Sequence, residues 1–281
     1  MRGNIPQFEI TAPETLVDAL KQVASGARPF AGGTDLMVGI EAGMLKPAKF
    51  VSLWAIPGLN LIEVTDTQVA IGALATYTDI LAHPVLTQEF PNLGAAARET
   101  GALAIQNRGT IGGNIANASP AADTPPSLLI YNAEIELISV RGTRVVPYAG
   151  FHTAYKKTVM AADEIIHRVL LPRTGKKLTH HYRKVGTRKA QSISKVCFSG
   201  CIARQGEVIA DVRIGLGSVA AMPIRIPKVE AFLKGKKIDA ATVSGAQAVL
   251  GNEITPIDDI RSNREYRLQV AKNLLAEFLQ A

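Results

Sequence analysis

The chain has 281 residues, of which 47% are hydrophobic and 20% are charged, and its formal net charge is +7. This composition suffices for one large or two ordinary domains with a buried core, and it excludes a wholly disordered chain. The sequence shows neither an apolar run long enough to cross a membrane nor an apolar segment in the N-terminal MRGNIPQFEI, so we expect a cytoplasmic protein without a secretory signal.

The N-terminal segment predicts two helices separated by a short strand and a glycine-rich loop. Thr11 and Glu14 have the spacing of a capping box, apolar residues follow at helical intervals, and Gly26 is expected to end the first helix. A short strand is expected over residues 27–30. It leads into FAGGTDLMV, residues 30–38, which contains a glycine pair, and a second helix is expected through GIEAGML.

The middle of the chain predicts strands on both sides of a long helical region. Residues 50–54 favour one strand, and residues 61–73 favour two strands joined by a polar turn. Residues 76–106 favour helices that two prolines interrupt. The stretch NRGTIGGNIANASPAAD, residues 107–123, follows and contains a second glycine pair.

The remaining chain mixes strands and helices. Pro125-Pro126 should open a helix, residues 135–148 favour a hairpin with Arg141-Gly142 at its turn, and residues 163–172 favour a strand. After Pro172 come two strand-like runs, SKVCFSGCIAR and VIADVRIGLGSVA, and then two helices, KVEAFLKG and REYRLQVAKNLLAEFLQA. Because the order lacks a regular βαβ alternation, the sequence predicts an α+β fold with a domain boundary near residue 173.

The two glycine pairs have the composition of an anion-binding site. Glycine lets the backbone turn sharply and approach a ligand, and successive amide groups in such a turn can bind a phosphate. Hydroxyl and amide side chains lie in the same loops, and Asp123 follows as an acceptor for a ribose or an adenine group. Two facing loops would hold the diphosphate of a dinucleotide, whereas the simpler reading is a tight turn at each glycine pair.

Other chemical motifs receive little support. Gly175-Lys176 lacks the remaining residues of a phosphate-binding P-loop, and prolines follow the glycines of residues 215–220 where a dinucleotide-binding fold needs a helix. His180 and His181 are adjacent, so they should lie on opposite faces of a strand and not share a metal. Cys197 and Cys201 are expected to be ordinary buried thiols. The basic segment of residues 173–189 is read as a solvated linker and strand edge, or as a loop that faces an anion.

Four stretches of the sequence resemble a known family in the family's own order. They are FAGGTDLMV, IGALATYTDI, NRGTIGGNIANASPAADTPP and ITPIDDIRSNREYR, and they resemble the FAD-binding medium subunit of molybdenum hydroxylases, the xanthine dehydrogenase and carbon monoxide dehydrogenase group. The resemblance implies an FAD-binding domain of the vanillyl-alcohol-oxidase (PCMH) type over residues 1–172, with subdomains at roughly 1–55 and 56–172. It also implies a small α+β C-terminal domain with an antiparallel sheet over residues 173–281, which YRKVGTRKAQSISKV opens.

Carried over by position, the resemblance implies two FAD-binding loops and several later contacts. The first loop comprises Pro29, Phe30, Ala31, Gly32, Gly33, Thr34, Asp35 and Leu36. The second comprises Thr110, Ile111, Gly112, Gly113 and Asn114, and the later contacts are Asn117, Asp123, Ile166 and Lys184. Ile166 matches an apolar residue whose backbone meets the flavin edge, and Arg183 is the alternative to Lys184. Thr100 occupies the place where some relatives have an aromatic residue that packs on the flavin.

The resemblance also implies a cofactor and partners. FAD belongs to this chain, whereas the molybdenum cofactor and [2Fe–2S] clusters belong to a large and a small partner subunit in a dimer of heterotrimers. Electrons would pass from the iron–sulfur centres through FAD to NAD⁺, oxygen or a ferredoxin, without a catalytic side chain or a metal in this chain. Two cysteines cannot supply the iron–sulfur cluster of the 4-hydroxybenzoyl-CoA reductase branch, which is excluded.

Two other functions remain open at this point. One is a stand-alone flavin oxidoreductase. The other is a basic nucleotide- or RNA-binding module that uses the same glycine loops. Only 5% of the residues are aromatic, which argues against RNA recognition by base stacking, so we expect no nucleic-acid partner.

Overall fold

The computed structural model describes residues 8–45, 49–175 and 177–281. Most of the N-terminal segment considered for a secretory signal, and Lys176 of the basic segment, lie outside these residues. The helices are α1 (Leu16–Ala24), α2 (Leu36–Glu41), α3 (Tyr77–Ala82), α4 (Pro84–Glu89), α5 (Pro91–Glu99), α6 (Leu103–Gln106), α7 (Ile111–Asn117), α8 (Pro125–Ile130), α9 (Pro227–Leu233), α10 (Ala240–Gly251) and α11 (Arg264–Gln280). None of these helices of the described chain is long and apolar enough to cross a membrane.

The strands form four separate sheets. They are β1 (Glu9–Thr11), β2 (Arg28–Phe30), β3 (Lys49–Ser52), β4 (Ile62–Val64), β5 (Gln68–Gly72), β6 (Glu134–Ser139), β7 (Gly142–Pro147), β8 (His152–Ala154), β9 (Lys157–Thr158), β10 (Ile165–Pro172), β11 (Thr179–Val185), β12 (Val196–Gln205), β13 (Val208–Gly217) and β14 (Ile224–Arg225). The sheet orders are β1-β3-β2, β4-β5-β10-β6-β7, β11-β12-β13-β14 and β8-β9. The predicted α+β class is confirmed.

The first sheet is small and parallel, and α1 packs on it. Ala19, Leu20 and Val23 of α1 are buried together with Val51 of β3. The predicted capping box is wrong, because Thr11 pairs with Val51 in the sheet and is therefore extended. The true N-cap is Thr15, whose Oγ1 accepts a hydrogen bond from the Asp18 amide at 3.1 Å.

The second sheet is antiparallel and carries the helices α3 to α8. The predicted strands over residues 61–73 and 163–172 are confirmed as β4, β5 and β10, and the helical region is confirmed as four short helices. In the β6–β7 hairpin Ser139 pairs with Gly142, so the turn consists of Val140 and Arg141, one residue earlier than predicted. A continuous apolar core joins this sheet to the helices.

The last sheet, β11 to β14, packs against α9, α10 and α11 to form the C-terminal domain. Its core contains Phe198 of β12 and Phe278 of α11, and both are fully or almost fully buried. Cys197 and Cys201 are free, buried thiols on β12, as predicted. The predicted helices at KVEAFLKG and at the C-terminus are confirmed, whereas α10 was not predicted.

The two domains share a polar and an apolar interface. Helix α8 packs against β12 and β13, and a Cβ added to Gly215 would lie 2.4 Å from the Pro126 carbonyl oxygen. Asn92 of α5 is 3% exposed, and its side-chain nitrogen donates to the carbonyl oxygens of His181 and Gly200, both at 3.0 Å. These contacts hold the C-terminal sheet against α5 and α8 of the N-terminal domain.

Candidate functional site

The two glycine loops, residues 29–36 and 110–114, lie side by side. A Cβ added to Gly32 would be only 1.7 Å from the carbonyl oxygen of Arg108, two residues before the second loop. An isolated bridge also pairs Thr110 with Thr76. A side chain at position 32 would therefore push the loops apart, and glycine is the residue that permits this approach.

The first loop offers unpaired backbone amides at an accessible surface. It runs from β2 into α2, all of its residues are at least partly exposed, and Gly33 has a φ of +78°. Within the described part of the chain, the amides of residues 32–36 donate to no protein acceptor. Backbone N–H groups that lack a protein partner suit an anionic ligand such as a diphosphate.

The second loop uses its amides differently from the expectation. The Ile111 amide donates to Ala75 O at 3.0 Å, and the Gly112 amide donates to Ala73 O at 2.9 Å. The Gly113 amide donates to Thr110 Oγ1 at 3.1 Å, so Thr110 caps α7. The first two amides hold the helix to the chain that follows β5. The loop leaves Gly113 exposed and the Asn114 side chain partly exposed, and these are the groups that it offers to a ligand.

Asn114 is held in one orientation by a buried hydroxyl. Thr124 Oγ1 donates to Asn114 Oδ1 at 2.6 Å, and Thr124 is completely buried. Asn117 lies one turn further along α7, and its Oδ1 accepts from Lys156 Nζ at 3.1 Å. Both asparagines therefore belong to the same surface as Gly113, with their carbonyl oxygens already occupied.

Asp123 and Lys184 form a buried ion pair that joins the two domains. Lys184 Nζ lies 2.7 Å from Asp123 Oδ2, and the two side chains are 4% and 10% exposed. Ser194 Oγ donates to Asp123 Oδ1 at 2.5 Å. Burial raises the pKa of the Asp123 carboxyl, and the hydrogen bonds from Lys184 and Ser194 oppose this effect. Both carboxylate oxygens of Asp123 thus have protein partners before any ribose or adenine arrives.

The structure distinguishes Lys184 from its neighbour. Arg183 lies on the other face of β11, where its Nε is 3.3 Å from Glu277 Oε1 of α11, and its side chain is 56% exposed. Only Lys184 of the two points toward Asp123 and the segment after α7. Of the two alternatives, Lys184 is therefore the residue that contacts the domain containing the glycine loops.

Ile166 lies close to the second loop through a bulge in β10. The register shifts between Ile166 and Arg168, so His167 is the extra residue, and its carbonyl oxygen accepts from the Ala73 amide at 2.9 Å. Ala73 is also the residue that receives the Gly112 amide. Ile166 itself is 5% exposed and pairs with Leu137 of β6.

Thr100 has no aromatic ring that could pack on a flavin, and its hydroxyl donates to Ala96 O at 2.8 Å. The Arg108 guanidinium instead lies 3.8 Å above the ring of Trp54, next to the point where Arg108 touches Gly32. The sequence reasoning missed Arg108, Trp54, Thr124 and Ser194. All but Trp54 lie in the stretches NRGTIGGNIANASPAADTPP and YRKVGTRKAQSISKV, and the position of Arg108 beside GTIGG was a signal that could have been used.

The remaining motifs have structural roles. His180 Nδ1 lies 3.2 Å from the Tyr131 hydroxyl, while His181 packs against Phe198, so the two histidines face opposite sides as predicted. Within the basic segment Arg173 forms a bidentate pair with Glu89 at 2.6 and 2.8 Å. Together with the ion pairs of Arg183 and Lys184, this pair supports the reading as a linker and strand edge.

Comparison with known proteins identifies the family. The family described as "FAD binding domain in molybdopterin dehydrogenase" matches residues 6–174, and the one described as "CO dehydrogenase flavoprotein C-terminal domain" matches residues 180–281. The chain is 32% identical to the glyceraldehyde dehydrogenase medium chain of Sulfolobus acidocaldarius over 96% of both chains. It is 30% identical to a putative xanthine dehydrogenase FAD-binding subunit of Escherichia coli, over 92% of this chain and 90% of the relative.

Solved structures show the same architecture. Carbon monoxide dehydrogenase from Hydrogenophaga pseudoflava is 26% identical and superposes with a TM-score of 0.93, covering 97% of this chain and 96% of the other. Quinoline 2-oxidoreductase from Pseudomonas putida is also 26% identical, with a TM-score of 0.92 over 99% of this chain and 97% of the other. The chain therefore belongs to the FAD-binding medium subunits of the molybdenum hydroxylase family and is an FAD-dependent oxidoreductase subunit.

Proposed function

We propose that this chain is the electron-transfer subunit of a three-subunit molybdenum hydroxylase related to xanthine dehydrogenase. Two partners complete the proposed complex, an iron–sulfur small subunit and a molybdenum large subunit, and the whole is a cytoplasmic dimer of heterotrimers. Relatives named as medium chains and FAD subunits of dehydrogenases support this assignment. Bound FAD supplies the ability to take up single electrons and to release a pair as a hydride, with NAD⁺ as the preferred acceptor in this proposal.

The contact between the two glycine loops is the observation that carries the proposal. The first loop contributes the unpaired amides of residues 32–36, and the second contributes the exposed Gly113 and the Asn114 side chain. We assign the diphosphate of FAD to these groups. Asn117, Asp123 and Lys184 then bound the site on the side of the second loop, and the backbone of Ile166 faces the flavin edge. The domain boundary is proposed near residue 173, with subdomains at roughly 1–55 and 56–172.

The roles of this chain's own groups are binding and electrostatic. The unpaired amide donors of residues 32–36 favour an anionic cofactor without a proton transfer, because their hydrogens stay on the protein. Lys184 brings no net charge to the site while Asp123 is ionised. No side chain is assigned as a general acid or base.

The test is a spectroscopic titration of the purified chain with FAD. We expect a flavin absorbance spectrum, a 1:1 stoichiometry set by one site, and release of FAD and not FMN on denaturation. Gly113→Val should lower FAD affinity at least about a hundredfold, because two added methyl groups occupy the exposed turn and press on Thr110 Oγ1, which lies 2.8 Å from the position of a Cβ.

Ala116→Val is the matched control, since it places the same valine side chain at an exposed position of the same helix. Its FAD affinity should stay within about twofold of the wild type. Gly112 is unsuitable for this test, because a Cβ there would lie 2.6 Å from Ala73 Cβ and would detach α7 from β5. A folded Gly113→Val variant that binds FAD as the wild type does would refute the loop assignment. The co-purification of iron–sulfur and molybdenum subunits tests the proposed complex.

A further inference from the structure

We infer that Thr124 is a positioning residue for FAD, which fixes the Asn114 side chain so that its amide N–H groups donate to an acceptor oxygen of the cofactor. The inference rests on the proposed function, since it assumes that FAD occupies the site beside Asn114. It assigns a role to a residue of the loop after α7 that touches no ligand itself.

The hydroxyl of Thr124 is buried beside the Asn114 side chain. The residue is 0% exposed, and its Oγ1 donates to Asn114 Oδ1 at 2.6 Å. If the Asn114 amide were turned over, its NH₂ group would donate to the hydroxyl, and the hydroxyl proton would be left without an acceptor among the described residues. A buried donor without a partner is unfavourable, so the hydroxyl selects one orientation of the amide.

The other end of the Asn114 amide is its Nδ2 group. With Oδ1 occupied, Asn114 Nδ2 has two N–H groups and no acceptor in the described part of the chain. Asn114 is partly exposed and directly follows the exposed Gly113, so these donors are accessible and not buried orphans. An amide that is held by its carbonyl oxygen acts toward a ligand as a donor only.

The C-terminal domain holds the chain next to Thr124. The residue precedes α8, but its side chain makes no capping hydrogen bond to that helix. The preceding Asp123 is fixed from the C-terminal domain by Lys184 and Ser194. Tyr182 also donates its hydroxyl to the Asp123 carbonyl oxygen at 3.3 Å. The backbone beside Thr124 is therefore fixed. In the described structure, the one hydrogen bond of its side chain is the bond to Asn114.

The experiment compares FAD affinity in Thr124→Val, Thr124→Ser and the wild type. Valine keeps the shape and removes the hydroxyl, so Asn114 loses its fixed orientation and we expect FAD affinity to fall about tenfold. Serine keeps the hydroxyl and should restore affinity to within about twofold. The side-chain amide of Asn114, followed by NMR in the protein without cofactor, should show one slowly exchanging environment in the wild type and averaging in Thr124→Val.

A cycle with Asn114→Ala separates positioning from simple destabilisation. Once the amide is gone, Thr124→Val should weaken FAD binding no further. ADP in place of FAD narrows down the acceptor, because an equal loss for both ligands places it in their shared ADP part, and a loss for FAD alone places it in the riboflavin part.

Three results would overturn the inference. They are unchanged FAD affinity in a folded Thr124→Val variant, the same loss in the Asn114→Ala background, and failure of serine to restore affinity. Absence of FAD binding by the wild-type chain is a different result, which would reject the proposed function and this inference with it.

Discussion

Individual residues of this protein show how burial, more than residue type, decides the chemistry of an ionisable group. His152 is 6% exposed, and its Nε2 lies 2.9 Å from the Tyr148 hydroxyl, whereas its Nδ1 has no partner in the described structure. Burial lowers the pKa of His152 to about 4. His180 and His181 have pKa values that are lowered for the same reason.

A pH dependence of stability follows for His152. Its pKa is lower in the folded state than in the unfolded state, so the unfolded state binds the proton more readily as the pH falls below about 6.5. The stability that neutral His152 contributes is complete above that pH and is lost as the pH falls toward 4. Between pH 7.5 and 5.5 we expect a loss of about 1 kcal/mol in unfolding free energy from this residue, after allowance for solvent screening.

Urea unfolding of the wild type and of His152→Gln at both pH values checks this expectation. Glutamine keeps a polar group near Tyr148 and does not titrate, so its unfolding free energy should fall less between the two pH values by that amount. A residual decrease from His180 and His181 is expected in both proteins. An equal decrease in the two proteins would mean that His152 is not buried as the structure shows.

At the scale of elements, local sequence signals predicted most strands and helices and failed where tertiary contacts decide. The Thr11 capping box has a correct spacing, but the pairing of β1 with β3 removes Thr11 from the helix. Helix α10 has little helical signal because it contains β-branched residues and glycine. Packing explains it, since Gly245 allows α10 to approach the Phe232 ring of α9, 2.5 Å from where a Cβ would lie.

For the candidate site too, some features could be predicted from the local sequence and others depend on tertiary contacts. Both glycine loops were visible in the sequence, because glycine pairs with polar neighbours are a local pattern. Their mutual contact and the choice of Lys184 over Arg183 depend on the strand register, since alternate residues of β11 face opposite sides. Thr124 and Ser194 lie in stretches that carry the family resemblance, but only the assembled fold shows that they contact Asn114 and Asp123.

The Asn92 side chain links helix α5 to β11 and β12, which gives an element-scale prediction. Asn92 Nδ2 lies 2.9 Å from Ser199 Oγ in addition to the two carbonyl oxygens already described. Asn92→Ala leaves these buried acceptors without their donor, and we expect a loss of about 2–3 kcal/mol in unfolding free energy.

Asn107→Ala is the control for this prediction. Asn107 is exposed, and its side chain accepts one hydrogen bond from Thr78 Oγ1 at 2.6 Å. Its loss should cost about 0.5 kcal/mol or less by chemical denaturation. Equal costs for the two alanine variants would show that Asn92 does not hold the interface.

At the scale of the whole molecule, the two domains meet at charged residues that we also place in the proposed cofactor site. The C-terminal domain supplies Lys184 and Ser194, and the FAD-binding domain supplies Asp123. The Glu99 carbonyl oxygen accepts a further hydrogen bond from Lys184 Nζ at 2.8 Å. The C-terminal domain therefore contributes hydrogen bonds to the loop that follows α7.

The ion pair between the domains should be costly to break from one side and much less costly to remove whole. Lys184→Met leaves the Asp123 carboxylate buried and opposite no cation, which should lower the unfolding free energy by about 3 kcal/mol. Combining it with Asp123→Asn removes both charges while Ser194 keeps a hydrogen-bond partner. The double variant should therefore be more stable than Lys184→Met alone.

Arg183→Met is the matched control, because it breaks an exposed ion pair at the next residue of the same strand. Exposed pairs contribute little, so we expect a change of about 0.5 kcal/mol or less. Denaturant unfolding of the four proteins of the cycle gives the coupling free energy between Asp123 and Lys184. Additive losses, or a Lys184→Met variant as stable as Arg183→Met, would show that the pair does not join the domains, since two buried charges in contact must respond to each other's removal.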